Sequence, residues 1–406
     1  MFVRVLVLAV LVGLTGSARA QRLPAEFEPH AAVWMAWPPA PECMKGHPLV
    51  PPTVAVLTAL APHVPVELVV RTPAEILAAQ AALAGARVPP GRVRFRVIPD
   101  AGFWLRDIGP PFVQGRTGLA VVDFGFNSWG YEGNGATHEQ SAAMEALDRH
   151  VAAKLGLPVV KTRLTGEGGA RETDGQGTMI VVDEVERDRN PGWSHAAIET
   201  ELARVMGIHR VIWLPRGLVE DRHIFEGPLP GGAYPCVPPG GHTDELVRFA
   251  DPHTVLLADA SPADRARDPV AAEDGRRLDE ARRVLSGLYR IVALPLAEHV
   301  EDTLEVDDTF AAFHFKDGTR LTARQRIRIL PAASYLNFFA TNGCVLVPQY
   351  ARAGGPPRVR EKDRRAREIL AAAFPGRAVI GLDVDALNHC GGGVHCMVHE
   401  QPLTDR

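Results

Sequence analysis

The chain has 406 residues, a formal net charge of −4 at pH 7 and a sequence pI near 6.4. Hydrophobic residues make up 46% of the sequence, and no charged or low-complexity linker divides it, so we expect one well-buried globular domain. The acidic balance and the lack of a basic stripe exclude the electrostatic footprint of a nucleic-acid-binding protein. We therefore expect no nucleic-acid partner.

Residues 1–20 differ from the rest of the chain and have the features of a cleaved export signal. Arg4 precedes an apolar run from Val5 to Leu14, and the small residues Ala18 and Ala20 precede Gln21. The alternative is an uncleaved membrane anchor, but the run is shorter than the ~20 residues that span a bilayer. The sequence predicts a signal peptide at 1–20 and a single domain at 21–406. The mature protein would be exported, periplasmic or secreted, and not inserted in a membrane.

The mature chain alternates short β-rich runs with helix-like segments. Ten runs are predicted strands: Val64–Arg71, Val93–Pro99, Leu119–Phe126, Val159–Leu164, Thr178–Asp183, His209–Pro215, Val255–Asp259, Arg290–Pro295, Cys344–Pro348 and Ala378–Val384. Five segments are predicted helices, two of them with N-caps at Thr72 and Ser194: Pro73–Ala86, Glu139–Leu155, Ser194–Met206, Ala271–Leu288 and Glu361–Phe374. The alternation predicts an α/β fold, and five helical units suggest a repeated module without a fixed sequence period.

Two polar motifs follow predicted strands in the first half of the chain. Trp104-Leu105-Arg106-Asp107-Ile108-Gly109-Pro110 comes after Val93–Pro99, and on its own a structural ion pair between Arg106 and Asp107 explains it. Glu167 lies among glycines 166, 168 and 169, after Val159–Leu164. On its own this second motif is a loop with a solvated acid.

Two further motifs lie in the second half. Gly240-Gly241-His242-Thr243-Asp244 places His242 and Asp244 on one face if the backbone is extended. Near the C-terminus, Cys396 follows the glycine run 391–393, whose backbone can adopt positive φ and approach a ligand closely. Cys396 is therefore a candidate nucleophile. The alternative is a surface turn with a buried or disulfide-bonded cysteine.

Together the four motifs supply a thiol, a histidine and three carboxylates on glycine-rich loops of one α/β chain. An acid-rich thiol site suits a cationic substrate better than a peptide bond, whose developing negative charge needs hydrogen-bond donors. Guanidinium fits, because its planar fork of donors pairs with carboxylates while its carbon accepts a thiolate. We interpret Asn337 and Asn342, between the last two motifs, as buried structural residues, with an approach to the active-site channel as the alternative.

The five cysteines show no paired C-x-x-C spacing, and their odd number leaves at least one unpaired within the chain. Besides Cys396, the other four allow three disulfide connectivities that the sequence cannot distinguish: Cys43, Cys236, Cys344 and Cys390. A zinc protein is an alternative of another class, with ligands drawn from His389, Cys390, His395, Cys396 and His399. Their crowding on one short loop makes tetrahedral closure awkward.

The motifs resemble those of the agmatine deiminase and bacterial-type (Porphyromonas-type) peptidylarginine deiminase family. The shared motifs are Trp104-x-Arg106-Asp107-x-Gly109-Pro110, Glu167-Gly168-Gly169, Gly241-His242-x-Asp244 and Gly391-Gly392-Gly393-x-His395-Cys396. The likeness runs from Leu23 to Pro402 and covers essentially the whole mature chain.

This resemblance implies a five-bladed pseudosymmetric α/β-propeller of ββαβ modules, the pentein fold of guanidine-modifying enzymes. It implies Cys396 as nucleophile, His242 as general acid and base, and Asp107 and Asp244 as guanidinium ligands. Glu167 would orient His242 and help to hold the substrate. Trp104 and Arg106 would contact the substrate. No metal or organic cofactor is required.

The resemblance implies hydrolytic deimination of agmatine to N-carbamoylputrescine through a covalent cysteine intermediate. Two departures bear on the substrate: Ala101-Gly102-Phe103 replaces an Asn-Asp pair usual in the family, and the stretch 227–240 before His242 is a proline-rich insert. An exported peptidylarginine deiminase is therefore the alternative, and a non-catalytic guanidine-binding protein is a more distant one. The oligomeric state is left open.

Overall fold

The computed structural model describes residues 21–115 and 118–404, so the predicted signal peptide at 1–20 lies outside the described residues. The α/β class is confirmed. The strands are β1 His30–Ala36, β2 Glu42–Met44, β3 His47–Pro48, β4 Val66–Val70, β5 Val93–Val97, β6 Phe112–Gly115, β7 Gly118–Gly125, β8 Val159–Thr165, β9 Arg171–Thr173, β10 Thr178–Val182, β11 Arg210–Leu214, β12 Tyr234–Pro235, β13 Val247–Asp251, β14 Thr254–Asp259, β15 Arg290–Pro295, β16 Asp302–Glu305, β17 Arg326–Leu330, β18 Phe339–Ala340, β19 Cys344–Gln349, β20 Ala378–Asp383 and β21 Val398–Pro402.

The α-helices connect these strands. They are α1 Val50–Leu60, α2 Pro73–Leu83, α3 Leu105–Ile108, α4 His138–Glu145, α5 Leu147–Leu155, α6 Asp183–Arg189, α7 His195–Met206, α8 Pro262–Arg267, α9 Pro269–Leu285, α10 Asp308–Ala311, α11 Pro357–Ala373 and α12 Asp385–His389. No helix among the described residues is long and apolar enough to cross a membrane.

Five sheets repeat one strand pattern, in which a middle strand pairs antiparallel on one side and parallel on the other. Four of them follow chain order, with one or two helices before the parallel strand: β6-β7-β8, β9-β10-β11, β13-β14-β15 and β18-β19-β20. In the fifth sheet, the C-terminal β21 pairs antiparallel with β1, and β1 pairs parallel with β4. The first and last strands of the described residues are thereby joined in one sheet.

The helices pack apolar faces on these sheets. In α9 the buried residues Leu278, Ala281 and Leu285 recur every three or four positions, which gives one face toward the core. They join the largest core cluster, which also contains residues of β10, β14, β19 and α11. This packing fixes the strand ends, and hence the loops that carry the polar motifs.

Helix termini agree with local sequence signals except at one predicted cap. The Ser194 hydroxyl accepts from the amide of Ala197, as predicted, and the left-handed Gly207 ends the same helix. Thr72 occupies the predicted N-cap position, but its side chain makes no such bond. In that helix, Pro73 at the first position supplies a preset φ instead.

An insert and a disulfide lie outside the repeated pattern. Strand β12 pairs with β17, which pairs with β16, and these form a separate three-stranded sheet. Cys43, in the β2–β3 hairpin, forms a disulfide with Cys390, with Cα atoms 5.9 Å apart. Cys236, Cys344 and Cys396 are free and buried. The disulfide ties the hairpin to the start of the loop that carries Cys396.

Candidate active site

The candidate site residues occupy one repeated position in the fold. Each lies a few residues before the antiparallel strand of its sheet, usually in a single helical turn. Asp107 precedes β6, Glu167 precedes β9, Asp244 precedes β13 and Cys396 precedes β21. The equivalent position before β18 is held by Asn337. Each of the five sheets therefore positions one polar side chain just before its antiparallel strand.

Two of these side chains, those of Asp107 and Asp244, meet the imidazole of His242 at Gly169. A Cβ atom built on this glycine would lie 2.7 Å from Oδ1 of Asp107, 2.7 Å from Nδ1 of His242 and 3.0 Å from Oδ2 of Asp244. Any larger residue would displace these groups, which explains the glycine that follows Glu167 and Gly168. Two carboxylates and an imidazole thus converge in a space that only a glycine leaves open.

His242 is completely buried among acids. Its Nε2 lies 3.5 Å from Oε2 of Glu167 and its Nδ1 lies 3.8 Å from Oδ1 of Asp107. Neither ring nitrogen has a hydrogen-bond partner within the part of the chain that the structure describes. Burial opposes a charge on the ring, but the carboxylates of Asp107, Glu167 and Asp244 outweigh it and raise the pKa of His242 to about 9. The imidazole is therefore protonated at neutral pH.

Glu167 is held ionised by a buried arginine. Nε of Arg189 donates to Oε1 of Glu167 at 2.8 Å, and both side chains are shielded from solvent. Burial alone would raise the pKa of Glu167, but the charges of Arg189 and His242 outweigh it and lower the pKa to about 2. Oε1 is thus occupied by Arg189, while Oε2 faces the imidazole.

Asp107 receives two donors that fix its carboxylate. The indole N–H of Trp129 donates to Oδ2 at 2.8 Å, and the amide of Gly169 donates to Oδ1 at 3.0 Å. Trp129 has a left-handed backbone, with φ of 55°, an uncommon conformation for a residue with a side chain. Burial, with the nearby charges of Asp244 and Glu167, raises the pKa of Asp107. A cation between these carboxylates would lower it again.

Asp244 is connected to a buried polar network through His395. Nδ1 of His395 contacts Oδ2 of Asp244 at 2.6 Å, and its Nε2 contacts Oε2 of Glu26 at 2.7 Å. Burial raises the pKa of Asp244, but His395 outweighs it and holds the pKa below its usual value. Oδ1 of Asp244 has no hydrogen-bond partner among the described residues. One carboxylate oxygen is therefore anchored and the other is available.

Cys396 lies against the side chain of Asn337. Nδ2 of Asn337 is 3.2 Å from Sγ of Cys396 and also donates to Oε1 of Glu245 at 2.7 Å. Burial, followed by the charges of Asp244, Asp107 and Glu245, raises the pKa of the Cys396 thiol well above its usual value. The thiol is therefore protonated at neutral pH as long as these negative charges are uncompensated.

The glycine run before Cys396 is a close-packed loop. Gly391 has φ of 85°, and a Cβ there would lie 2.4 Å from the carbonyl oxygen of Val237. A Cβ on Gly393 would lie 2.3 Å from Oδ1 of Asn337, which accepts from the amide of His395 at 2.8 Å. The glycines thus allow the loop to approach the insert on one side and Asn337 on the other.

A cavity of about 120 Å³ opens onto the thiol. It is lined by Trp104, Asp107, Trp129, Tyr131, Val237, Pro238, Pro239, Cys390, Gly391 and Cys396. A neighbouring cavity of about 500 Å³ shares three lining residues with it, Trp129, Tyr131 and Val237. The insert contributes directly to the first cavity, and Tyr131 fixes it there by donating to the carbonyl of Pro238 at 2.9 Å.

Two predicted substrate contacts differ in position. Trp104 lines the cavity that holds Cys396. Arg106 is buried on the other side of the motif, where its Nη2 atom pairs with Glu26 at 3.0 Å and Glu400 at 2.7 Å. Its guanidinium group is therefore already paired with two carboxylates, although Nε has no hydrogen-bond partner among the described residues. The structure places Arg106 in the supporting network and not at the thiol cavity.

One condition and one alternative from the sequence analysis do not hold in the structure. The segment that carries His242 and Asp244 is not an extended strand, because Thr243–Glu245 forms a 3₁₀ turn that aims both side chains inward. The five proposed zinc ligands do not converge either. Among the described residues, the two groups that bring three metal-ligating side chains together include only His389 of that set. Cys390 is in the disulfide, and His399 contacts the carbonyl of Pro110.

Asn337, Trp129 and His395 are site residues that sequence reasoning did not identify in these roles. None of the three has a role that its local sequence indicates, since their contacts join segments more than 20 residues apart. The repeated position was the available signal for Asn337, because it precedes β18 as the other site residues precede their strands.

Comparisons with known proteins agree with this geometry. A family model described as Porphyromonas-type peptidyl-arginine deiminase matches residues 22–402. A putative agmatine deiminase of Streptomyces coelicolor is 33% identical over 390 residues, covering 94% of this chain and 99% of the relative. An agmatine deiminase of Pseudomonas aeruginosa is 30% identical over 390 residues, covering 94% and 95%. The solved structure of the Enterococcus faecalis agmatine deiminase is 25% identical, with a TM-score of 0.72, and covers 96% of this chain and 98% of that one.

The fold, the site and these matches define the class: the chain is a deiminase, a hydrolase that acts on carbon–nitrogen bonds. It belongs to the Porphyromonas-type peptidyl-arginine deiminase family. The resemblance inferred from its motifs is thereby confirmed.

Proposed function

We propose that the protein deiminates a guanidinium substrate through a covalent intermediate on Cys396, and that the substrate is agmatine, converted to N-carbamoylputrescine with release of ammonia. The observation that carries the proposal is the convergence of Asp107, His242 and Asp244 at Gly169. Two carboxylates provide the bidentate acceptors that a planar guanidinium group requires. The thiol cavity, which Asp107 also lines, brings the substrate carbon to Sγ.

In the first half-reaction the substrate promotes its own attack. The acids that raise the pKa of Cys396 are neutralised when the guanidinium binds, so the thiol loses its proton to solvent. The thiolate adds to the guanidinium carbon, forming the S–C bond. Protonated His242 donates to one amino group, the C–N bond breaks and ammonia leaves. An S-alkylthiouronium on Cys396 and a neutral His242 remain.

In the second half-reaction, water takes the place of ammonia. Neutral His242 removes a proton from the water, whose oxygen adds to the thiouronium carbon. Collapse of this adduct breaks the C–S bond, returns the thiolate and passes the hydroxyl proton to solvent. The products are a ureido compound and ammonia with one proton. His242 is protonated again, and its raised pKa suits this alternation because Glu167 and Asp107 stabilise the charged ring.

Agmatine is the first candidate because relatives of about 30% identity that cover nearly the whole chain are named agmatine deiminases. Its distal ammonium needs an acceptor outside the thiol cavity. Asp100 supplies the one carboxylate among the described residues that line the neighbouring 500 Å³ cavity. We therefore assign Asp100 to the ammonium end of the substrate.

Peptidylarginine is the second candidate, because the same cavity is large and mostly apolar. Met144, Phe310 and Phe313 line it, and the exposed Asp100 and Gln140 at its edge leave it open to solvent. A peptide chain needs such an open approach. Export of the mature chain, proposed from residues 1–20, would favour a substrate outside the cytoplasm. Neither candidate requires a cofactor, and the oligomeric state does not distinguish them.

We further propose that the five sheets are the blades of a closed pentein propeller. The support is the shared strand pattern and the shared position of the site residue before each antiparallel strand. Such a ring places five equivalent loops around one axis, which accounts for their meeting at a single site.

A substrate panel tests the assignment. The chain from Gln21 is assayed for ureido product with agmatine, free arginine and an internal-arginine peptide, alongside Asp100→Ala. For agmatine as substrate we expect the highest kcat/KM with agmatine, and a raised KM in Asp100→Ala with agmatine alone. A preference for the peptide that Asp100→Ala does not change would establish the second candidate. Turnover of none of the three by folded, reduced protein would overturn both.

A further inference from the structure

Outside the catalytic site, three metal-ligating side chains from distant parts of the chain converge near the disulfide. His47 is in β3 of the hairpin, Asp302 begins β16 of the β12-β17-β16 sheet, and His389 ends α12. One potential ligand atom from each lies within 4.8 Å of those of the other two. Nothing in the deiminase reaction uses these residues.

His389 has the orientation of a metal ligand. Its Nδ1 contacts the backbone oxygen of Asp385 at 2.9 Å and Oδ1 of the same residue at 3.2 Å. This leaves Nε2 facing Asp302, at 3.4 Å from Oδ2. The residue is only 7% exposed, and within the described residues Nε2 has no hydrogen-bond partner. A ligating histidine characteristically donates its other ring nitrogen to a carboxylate or a carbonyl.

The spacing also suits a divalent metal. A tetrahedral zinc site with bonds of about 2.0–2.1 Å separates its ligand atoms by about 3.3 Å. Nε2 of His389 and Oδ2 of Asp302 are already at that distance. The His47 ring stacks on the His389 ring, with centroids 3.7 Å apart and planes 17° apart, so binding one ion through both rings requires the His47 ring to turn out of the stack. Asp385 lies near both imidazoles, since its Oδ2 is 3.6 Å from Nδ1 of His47 and its Oδ1 is 3.2 Å from Nδ1 of His389.

The charges around the cluster favour a bound cation. Asp385 is paired with Arg352, which neutralises it and keeps it in the orienting position. Asp302 carries the remaining negative charge, and its side chain is 54% exposed, so an ion can enter from solvent. Two imidazoles and one carboxylate are a ligand set that zinc and neighbouring transition metals prefer over calcium or magnesium.

We propose that His47, Asp302 and His389 bind a divalent transition-metal ion of the zinc class, with water completing the coordination. The ion would join the β2–β3 hairpin, strand β16 and the end of α12. The hairpin and α12 are already linked by the Cys43–Cys390 disulfide, and Cys390 lines the thiol cavity. The bound ion would therefore stabilise the segments at the entrance to the active site and take no part in the reaction.

Zinc binding to the mature chain tests the proposal. The measurement is calorimetric titration of chelator-treated protein with Zn²⁺, in a Cys396→Ser background that removes the catalytic thiol as a competing ligand. We expect one equivalent of zinc, and affinity at least about tenfold weaker in His47→Ala and in Asp302→Asn. The matched control is His138→Ala, which removes an exposed histidine that also contacts a carboxylate, Glu132, at 2.9 Å.

The unfolding temperature gives a second readout that does not depend on activity. Zinc should raise it in the parent and in His138→Ala, and raise it less in the two site variants, because a ligand stabilises the state that binds it. Asp302 is largely exposed, so its substitution should leave the metal-free protein folded. Absence of zinc binding by the parent, or equal affinity in the parent and both site variants, would overturn the proposal.

Discussion

The side-chain amide of Asn337 lies 3.2 Å from the sulfur of Cys396 and anchors the loop before it by accepting from the amide of His395. Asn337 thus contacts the nucleophile from one direction while the acids that surround His242 face it from another. The amide N–H stabilises negative charge on sulfur, whereas the acids oppose it. Thiolate formation depends on which effect is stronger when the substrate arrives.

Replacing Asn337 with alanine should lower kcat/KM about 10- to 100-fold, since a hydrogen bond to a charged group contributes about 1.5–3 kcal/mol. The rate of Cys396 alkylation by iodoacetamide at fixed pH should fall as well, because the thiol pKa rises further. The matched control is Asn342→Ala in the same segment, which bonds only the backbone of His30. That variant should lose stability but keep its alkylation rate. Unchanged alkylation in Asn337→Ala would show that the contact does not stabilise the thiolate.

The pH dependence of kcat/KM should have an alkaline limb near pH 9. His242 must be protonated to release ammonia, and its folded-state pKa is raised to about 9. Activity therefore declines as pH rises through that value. The substrate's guanidinium group stays charged over this range, so the limb belongs to the enzyme. A limb near pH ~6.5, the value of an unperturbed histidine, would show that the acids do not hold the proton on the ring.

Asp244→Asn should lower turnover and, at the same time, raise the rate of thiol alkylation. Turnover should fall at least about 100-fold, because a guanidinium ligand and the partner of His395 are lost. The thiol should become easier to ionise, since Asp244 follows burial among the causes that raise its pKa. Alkylation by neutral iodoacetamide at pH 8 should therefore become faster. Asp251→Asn, on the exposed end of β13, should change neither. Slower alkylation in Asp244→Asn would contradict substrate-assisted ionisation of the thiol.

Glu26 should be essential for stability. Its carboxylate contacts the side chains of Arg106, Arg248 and His395, all buried. Removing the charge leaves two arginines with one counter-ion fewer in the interior, so Glu26→Gln should lower the free energy of unfolding by about 3–5 kcal/mol. Denaturant titration would measure it.

Glu28→Gln is the control for Glu26. Glu28 is partly exposed and pairs with Arg22 at the surface, so the loss should be below about 1 kcal/mol. Equal effects of the two substitutions would show that the interior network does not depend on Glu26.

Much of the fold could be predicted from the sequence. Each of the ten predicted strands corresponds to a strand of the structure, because strongly apolar β-rich runs form the middle and parallel strands of the sheets. The antiparallel strands, such as Arg171–Thr173 and Phe339–Ala340, were not predicted. These two are too short to show alternation, and pairing within the sheet holds them. The five-residue β13 and β21 and the middle strand β1 were missed as well. Helix α1 was missed because Pro51 and Pro52 indicate a turn, although both lie in its first turn.

Some residues of the candidate site could also be predicted from the sequence, and others could not. Cys396 was identified from the glycine run before it, whereas the roles of His242, Asp107, Asp244 and Glu167 came from the resemblance of their motifs to a known family. Trp129 and His395 also lie near glycines, but their partners are distant in sequence, so the local sequence does not indicate their contacts. Arg106 belongs to the same motif as Asp107, yet one helical turn directs their side chains to different sides. The sequence shows that both are polar, but only the packing shows which faces the thiol.

The most direct test of the account is the mass of the peptide that carries Cys396, after acid quench of the mature chain during turnover of a guanidine. We predict on Cys396 an adduct with the mass of the whole substrate less ammonia, an N-substituted amidino group, and no ureido product from Cys396→Ala. Full turnover by Cys396→Ala would contradict the account, as would turnover by the parent chain with the adduct on another residue.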